Sequence, residues 1–234
     1  STLSSSSAAS DVYKRQGLQP AAASRRFPSY LAPAMTQLPE LPLTLSRQEI
    51  RKMIRQRRRA LTPEQQQEMG QQAATRMMTY PPVVMAHTVA VFLSFDGELD
   101  TQPLIEQLWR AGKRVYLPVL HPFSAGNLLF LNYHPQSELV MNRLKIHEPK
   151  LDVRDVLPLS RLDVLITPLV AFDEYGQRLG MGGGFYDRTL QNWQHYKTQP
   201  VGYAHDCQLV EKLPVEEWDI PLPAVVTPSK VWEW

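Results

Sequence analysis

Four glycines stand within positions 180–184, with Arg178 and Leu179 before them and Phe185-Tyr186-Asp187-Arg188 directly after. Glycine takes positive φ without penalty and lets the backbone come close to a ligand. Successive N–H groups in such a loop can form a concavity that suits a phosphate. Arg178 and Arg188 are placed to neutralise an anion, and Asp187 offers a carboxylate for a metal ion. A mobile surface loop can also be glycine-rich. The crowding of Arg, Tyr and Asp around these glycines points instead to a nucleotide or phosphate site.

Two other stretches carry chemistry. Residues 47–59 contain seven basic side chains and one acid, a local charge of +6. On a helix Arg47, Arg51, Arg55 and Arg58 gather along one side. That run reads as a solvated face (above all for Arg55, Arg57 and Arg58), as a nucleic-acid patch, or as a phosphate clamp of guanidinium forks. The second stretch, Phe92 to Thr101, sets Glu98 after Gly97 at a strand end, either as a helix-entry acid or as a carboxylate reaching into a cleft. Phe92 reads as packing. Asp219 taken alone is an ordinary loop acid.

These residues need a frame. The chain has 234 residues, 43% of them hydrophobic, enough for one α/β domain with a substantial core. Net charge is only +2, so the surface as a whole does not advertise nucleic-acid binding. No apolar run approaches the ~20 residues needed to span a bilayer. The single cysteine, Cys207, excludes an internal disulfide and any Cys-built zinc site, and reads as a buried bystander. A cytoplasmic protein is expected. Residues 1–34 are Ser- and Ala-rich with Pro20, Pro28 and Pro33, and read as a disordered leader or translated upstream segment. The domain is expected over 35–234, beginning at Met35.

Ser46 caps an expected helix running to about Leu61, with Ile50, Ile54 and Leu61 as its apolar stripe. Thr62-Pro63-Glu64-Gln65 opens a second helix through a capping box with Pro at its first position. Strands are expected at Val89–Leu93, Val115–Val119, Leu128–Tyr133, Val164–Ile166, Val201–Ala204 and Ala224–Val226. Helices lie between them, one capped by Asp100 or Thr101 that runs through Leu104, Ile105 and Leu108 and stops at Ala111-Gly112, and one from about Tyr186 to Trp193. This alternation predicts an α/β fold: a single domain with a mostly parallel sheet flanked by helices, a Rossmann-like three-layer arrangement. Such sheets bind ligands beyond the carboxyl ends of their strands. The segment after Leu93 and the loop after Phe172 are the two places so marked.

Phe172-Asp173, Gly176, Arg178-Leu179-Gly180, Gly182 and Gly184-Phe185-Tyr186-Asp187-Arg188 together resemble the hallmark of the 5-formyltetrahydrofolate cyclo-ligases, and the likeness runs through most of residues 46–228. The resemblance implies ATP-dependent conversion of 5-formyltetrahydrofolate to 5,10-methenyltetrahydrofolate through a phosphorylated formyl intermediate. It implies ATP contacts from Arg47 and Arg51, and from Arg178, Leu179, Gly180, Met181, Gly182, Gly183, Gly184, Phe185 and Tyr186. It assigns Leu93, Glu98 and Tyr186 to the folate, and Asp187 and Asp219 to Mg²⁺. The implied partners are small molecules, a reduced folate and ATP, acting on a monomer or weak oligomer without nucleic acid or membrane.

The chain departs from the family's common pattern at Arg47, where Lys is usual, and at Met181, Gly183 and Phe185. Arginine keeps the charge but exchanges a point ammonium for a planar fork. Two other readings remain open. One is a nucleotide-independent sugar-phosphate isomerase or CoA-transferase-like enzyme. The other is an RNA-binding module built on the basic helix 47–59.

Overall fold

The computed structural model describes residues 45–234. The leader expected over 1–34 and the domain start at Met35 lie outside the described residues. Helix α1 spans Arg47–Arg59. The Ser46 hydroxyl accepts from the Glu49 N–H while the Glu49 carboxylate accepts from the Ser46 N–H, so two otherwise orphaned donors are satisfied. The helix ends at Arg59, short of the expected Leu61. Helix α2 (Pro63–Thr79) opens with the same reciprocal bonds between Thr62 and Gln65, and with Pro63 in its first turn. A five-residue helix α3 (Pro81–Met85) follows.

From there the chain runs β1 (Thr88–Ala90), α4 (Gln102–Arg110), β2 (Arg114–Leu120), β3 (Leu128–Tyr133), β4 (Leu139–Met141), β5 (His147–Pro149) and β6 (Val156–Leu157). It continues through β7 (Val164–Thr167), β8 (Ala171–Asp173), β9 (Arg178–Leu179), α5 (Phe185–Leu190), β10 (Gln199–Tyr203), β11 (Leu209–Val210), β12 (Ala224–Val226) and β13 (Val231–Glu233). Eight strands form the main sheet in the order β13-β12-β10-β7-β1-β2-β3-β6. Its centre, β12 to β2, is parallel, and β13, β3 and β6 add antiparallel edges.

Successive residues of the central strands face opposite sides, and both sides are apolar, as a sheet covered on two faces requires. Val89, Val164, Ile166, Ala224 and Val226 join α2 and α4 in one core, with Leu104, Ile105 and Leu108 as the α4 stripe. Ala90, Leu165 and Val225 turn the other way and pack with Leu190 of α5. The expected three-layer arrangement is therefore present.

Two features bear on the site. The strand expected over Val89–Leu93 stops at Ala90, although the Val91 N–H still bonds the Tyr116 carbonyl at 2.8 Å. The buried Thr101 hydroxyl then donates to the Phe92 carbonyl at 2.8 Å and accepts from the Ser94 N–H at 3.2 Å. That clasp closes residues 94–101 into a loop and holds Glu98 at its inner side. Second, a small sheet of order β11-β8-β9 packs on α1, with Ile50 and Ile54 against Val170, Ala171, Leu179, Val210 and Leu213. Strand β9 leads straight into the glycines, so one packing contact fixes both the basic helix and the glycine loop.

Candidate functional site

The glycine loop begins at Gly180, whose carbonyl accepts a 2.8 Å bond from Arg51 Nε. Gly182 and Gly184 have φ of 105° and 66°, values that a side chain would strain, and Gly184 precedes the first turn of α5. Met181, Gly182 and Gly183 are exposed, while Phe185, Tyr186 and Asp187 are half-buried. Leu179 is different. Its side chain belongs to the core beneath α1 and its carbonyl is bonded by the Val170 N–H, so a ligand could meet only other parts of the loop there.

Arg178 lies almost wholly beneath this loop and pairs with Asp187, whose Oδ1 also receives the Ile220 N–H at 3.4 Å. Burial lowers the Arg178 guanidinium from its usual value, against the pull of Asp187. Its Nε has no hydrogen-bond partner among the described residues. Arg47 forms a two-pronged pair with Asp219, one prong at 2.8 Å, and also donates to the Pro214 carbonyl at 3.1 Å. Burial pushes the Asp219 carboxyl up, but the bonds from Arg47 and from the Glu216 N–H outweigh it and hold the group below its ordinary value.

The two acids and two arginines therefore sit together, held by α1, β9, α5 and the 214–219 segment. Arg51 is the third cation of the group. Burial is the chief cause of its lowered pKa, followed by repulsion from Arg47 and Arg55. Arg188 lies outside this cluster. It braces the far side of the loop, donating to the carbonyls of Gly126 and Gly183, with its guanidinium 5.7 Å from the Phe185 ring centre. Among the described residues there is no group of three or more His, Cys, Asp or Glu side chains arranged to hold a metal. Asp187 and Asp219 remain as two carboxylates, which suits a cation completed by phosphate and water oxygens.

Across the site Glu98 is buried, its Oε2 receiving the Phe95 N–H at 3.2 Å. Burial pushes its carboxyl up to about 7. Tyr186 is close enough that its hydroxyl, raised first by burial, is raised further by Glu98's charge. Leu93 packs partly buried at the edge of the core, and Phe92 packs within it as expected. Cys207 is partly buried and burial pushes its thiol up to about 11, leaving an unreactive sulfur.

One expectation fails in an informative way. The side of α1 bearing Arg55 and Arg58 does not face solvent. Arg58 is fully buried, and Arg55, Arg58 and Arg59 converge on Asp96, which adopts φ 51° at the tip of the 94–101 loop. Arg57, also read as solvated, lies partly buried over Met53 and the Cys207 carbonyl. The arginine spacing showed that these side chains share a side of the helix. Nothing in the sequence marked Asp96 as their common partner.

A three-layer α/β fold with a glycine-lined cleft, flanked by paired arginines and aspartates, defines the class of protein. The family model of the 5-formyltetrahydrofolate cyclo-ligases matches residues 44–228, and the chain belongs to that family. It is 53% identical over 179 residues to the 5-formyltetrahydrofolate cyclo-ligase of Haemophilus influenzae, covering 76% of this chain and 96% of that one. The Mycolicibacterium smegmatis 5-formyltetrahydrofolate cyclo-ligase is 31% identical over 79% of this chain and 95% of its own. Among solved structures, the Aquifex aeolicus 5,10-methenyltetrahydrofolate synthetase superposes with a TM-score of 0.70 at 28% identity, covering 81% of this chain and 93% of that chain.

Proposed function

We propose that the protein is an ATP-dependent ligase that converts 5-formyltetrahydrofolate to 5,10-methenyltetrahydrofolate, releasing ADP and phosphate. The carbon of an N-formyl group is amide-like and its oxygen is a poor leaving group, so ring closure needs activation. The formyl oxygen attacks the γ-phosphorus of ATP, and the bond to the bridging oxygen breaks to release ADP. N10 then adds to the activated carbon and loses its proton. The carbon–oxygen bond breaks and phosphate departs. The protein's work is positioning and charge stabilisation, and no covalent nucleophile is required.

Arg47, Arg51 and Arg178 with the loop 178–186 are the groups that hold phosphates in this reading, Leu179 anchoring the loop in the core. Glu98 accepts from the adjacent N–H donors along the pterin edge, beside Leu93 and Tyr186. Asp187 and Asp219 would hold Mg²⁺, which supplies positive charge to the transferring phosphoryl group when bound. The observation that carries the reading is the pairing of Arg47 with Asp219 and of Arg178 with Asp187. A magnesium nucleotide brings both a cation for the acids and anions for the arginines, so it can take up all four partners without stranding a charge.

The protein is read here as acting in the cytoplasm as a monomer or weak oligomer, on small molecules alone. No helix among the described residues is long and apolar enough to cross a membrane. Arg47, Arg51, Arg55, Arg58 and Arg59 are engaged within the protein, which disfavours a nucleic-acid face on α1. Phosphate release from ATP, followed with and without 5-formyltetrahydrofolate, tests the assignment. Release that requires the folate supports it, whereas release indifferent to the folate, or turnover without ATP, contradicts it.

A further inference from the structure

Against Gly97, the residue before Glu98, lies a charge that the proposed chemistry does not use. Arg58 is fully buried on the inner side of α1, and none of its three guanidinium nitrogens has a hydrogen-bond partner among the described residues. Its nearest acid, Asp96 Oδ2, stands 3.6 Å from one terminal nitrogen, too far for a hydrogen bond. A buried guanidinium stays charged, and leaving its donors without hydrogen bonds is costly. Its place is fixed from both sides. The Arg58 backbone packs against Gly97, where an added Cβ would lie 3.4 Å from Arg58 Cβ. Gln66 Nε2 bridges the carbonyls of Arg58 and Gly97 at 3.2 and 3.4 Å.

Among the described residues, charged and titratable groups face Glu98 and Arg58 from several elements, and Cys207 beside Arg58 has its thiol pushed up to about 11 by burial. Arg58 and Arg55 approach from α1 and favour its carboxylate, while Asp96 on its own loop opposes it. Tyr186 of α5 feels Glu98 from the far side. His205, fully buried after β10, lies against the backbone of Gly97 and Glu98. Burial and then Arg58 press it down to about 4, so it remains neutral and adds no charge at neutral pH.

We infer that Arg58 is a positioning residue for the folate site: its buried guanidinium, held by no hydrogen bond and 3.6 Å from Asp96, supplies the positive charge that lets Glu98 meet the pterin edge as a carboxylate. This rests on the reading of Glu98 as the pterin partner. Without a counter-charge, burial favours a protonated Glu98, which presents a donor where the pterin edge also presents donors. Arg58 touches no substrate. It acts through Glu98, while Asp96 tempers its field and His205 stays neutral beside it.

The test is the pH profile of kcat/KM for 5-formyltetrahydrofolate across roughly pH 5.5–8.5. Wild type should lose efficiency as pH falls below about 7, where Glu98 takes up a proton. Arg58→Met should move that acid limb upward by about one pH unit, the size of a close buried charge's effect. Folate KM near neutrality should rise severalfold, with kcat and the KM for ATP little changed. Arg58→Lys should restore the wild-type limb, and Asp96→Asn should move it downward. A limb unmoved in Arg58→Met, or moved equally by Met and Lys, overturns the inference. If Arg58→Met does not fold, Arg58→Gln takes its place: an upward shift of the limb supports the inference and an unmoved limb overturns it. Glu98→Gln separates the two claims. If its folate KM is unchanged, the reading of Glu98 itself fails. If that KM rises at least ~10-fold while the charge variants leave the limb in place, only the role of Arg58 fails.

Discussion

Arg47 and Asp219 stand 172 residues apart in the chain and close a two-pronged ion pair at the start of α1. Beside them Arg178 and Asp187, nine residues apart, form a second pair under the glycine loop. Pairing explains how four charges sit half-buried in the cleft without a ligand, since an isolated buried charge would be far costlier. It also links nucleotide binding to a rearrangement, because the same oxygens and nitrogens that neutralise each other here are those proposed to meet metal and phosphate.

Arg51 ties α1 to the loop through the Gly180 carbonyl. Arg51→Ala should lower kcat/KM for ATP at least ~10-fold, the loss of one charge-assisted contact of ~1.4 kcal/mol. Initial rates against ATP concentration measure this. Wild-type rates in a folded variant would count against the phosphate role.

Asp187 has two separable duties. Asp187→Ala strands the buried Arg178 and should cost about 2 kcal/mol of stability, reduced from the fully buried case because Asp187 is partly exposed. Activity should fall at least ~10-fold. Asp187→Asn keeps a carbonyl oxygen for Arg178 and should recover most of the stability but little of the activity. Urea unfolding and turnover, measured on the same preparations, distinguish the two losses.

Asp163 governs acid stability through the sheet rather than the site. Its Oδ2 accepts from the N–H groups of His87 and Thr88, each at 2.9 Å, and from the Thr88 hydroxyl at 3.0 Å, while Lys197 pairs with Oδ1. Burial pushes this carboxyl up, but the bonds from Lys197, His87 and Thr88 outweigh it and hold the group well below the usual range. A depressed folded pKa contributes stability that is fully present above the unfolded value of ~3.9 and is lost as pH falls through the folded one. Asp163→Asn should therefore be less stable than wild type near pH 7, and the gap should narrow below about pH 4. Urea midpoints across that range report it, and a constant gap would contradict it.

Gly202 sits in β10 close against Val225 and Leu169. An added Cβ would lie 2.7 Å from Val225 Cγ2 and 2.8 Å from Leu169 Cδ2. Gly202→Ala should cost ~1–3 kcal/mol by overpacking, read as a lower melting temperature with unchanged substrate KM values.

The starts of α1 and α2 were readable because Ser46, Thr62, Pro63 and Gln65 carry local capping chemistry. The central strands were readable as apolar runs buried on both faces. Strands β8, β9, β11 and β13 were not, since two or three residues hold no period and their partners are set by the fold. The Val89–Leu93 run overstated its strand because Thr101, well downstream, clasps Phe92 and turns the chain away. The glycine loop announced itself through composition, whereas the burial of Arg58 did not. Within a run of arginines it looks like its neighbours, and the loop that carries Gly97 packs against it from a distant part of the chain.

The central claim is that this cleft performs nucleotide-driven ring closure of a formylated folate. The most direct measurement is the absorbance of purified protein mixed with 5-formyltetrahydrofolate, ATP and Mg²⁺, followed for the methenyl product's band. Parallel samples omit ATP or Mg²⁺. Growth of the band in the complete mixture alone is the predicted result. A folded protein that gives no band, or gives it equally without ATP, would contradict the account.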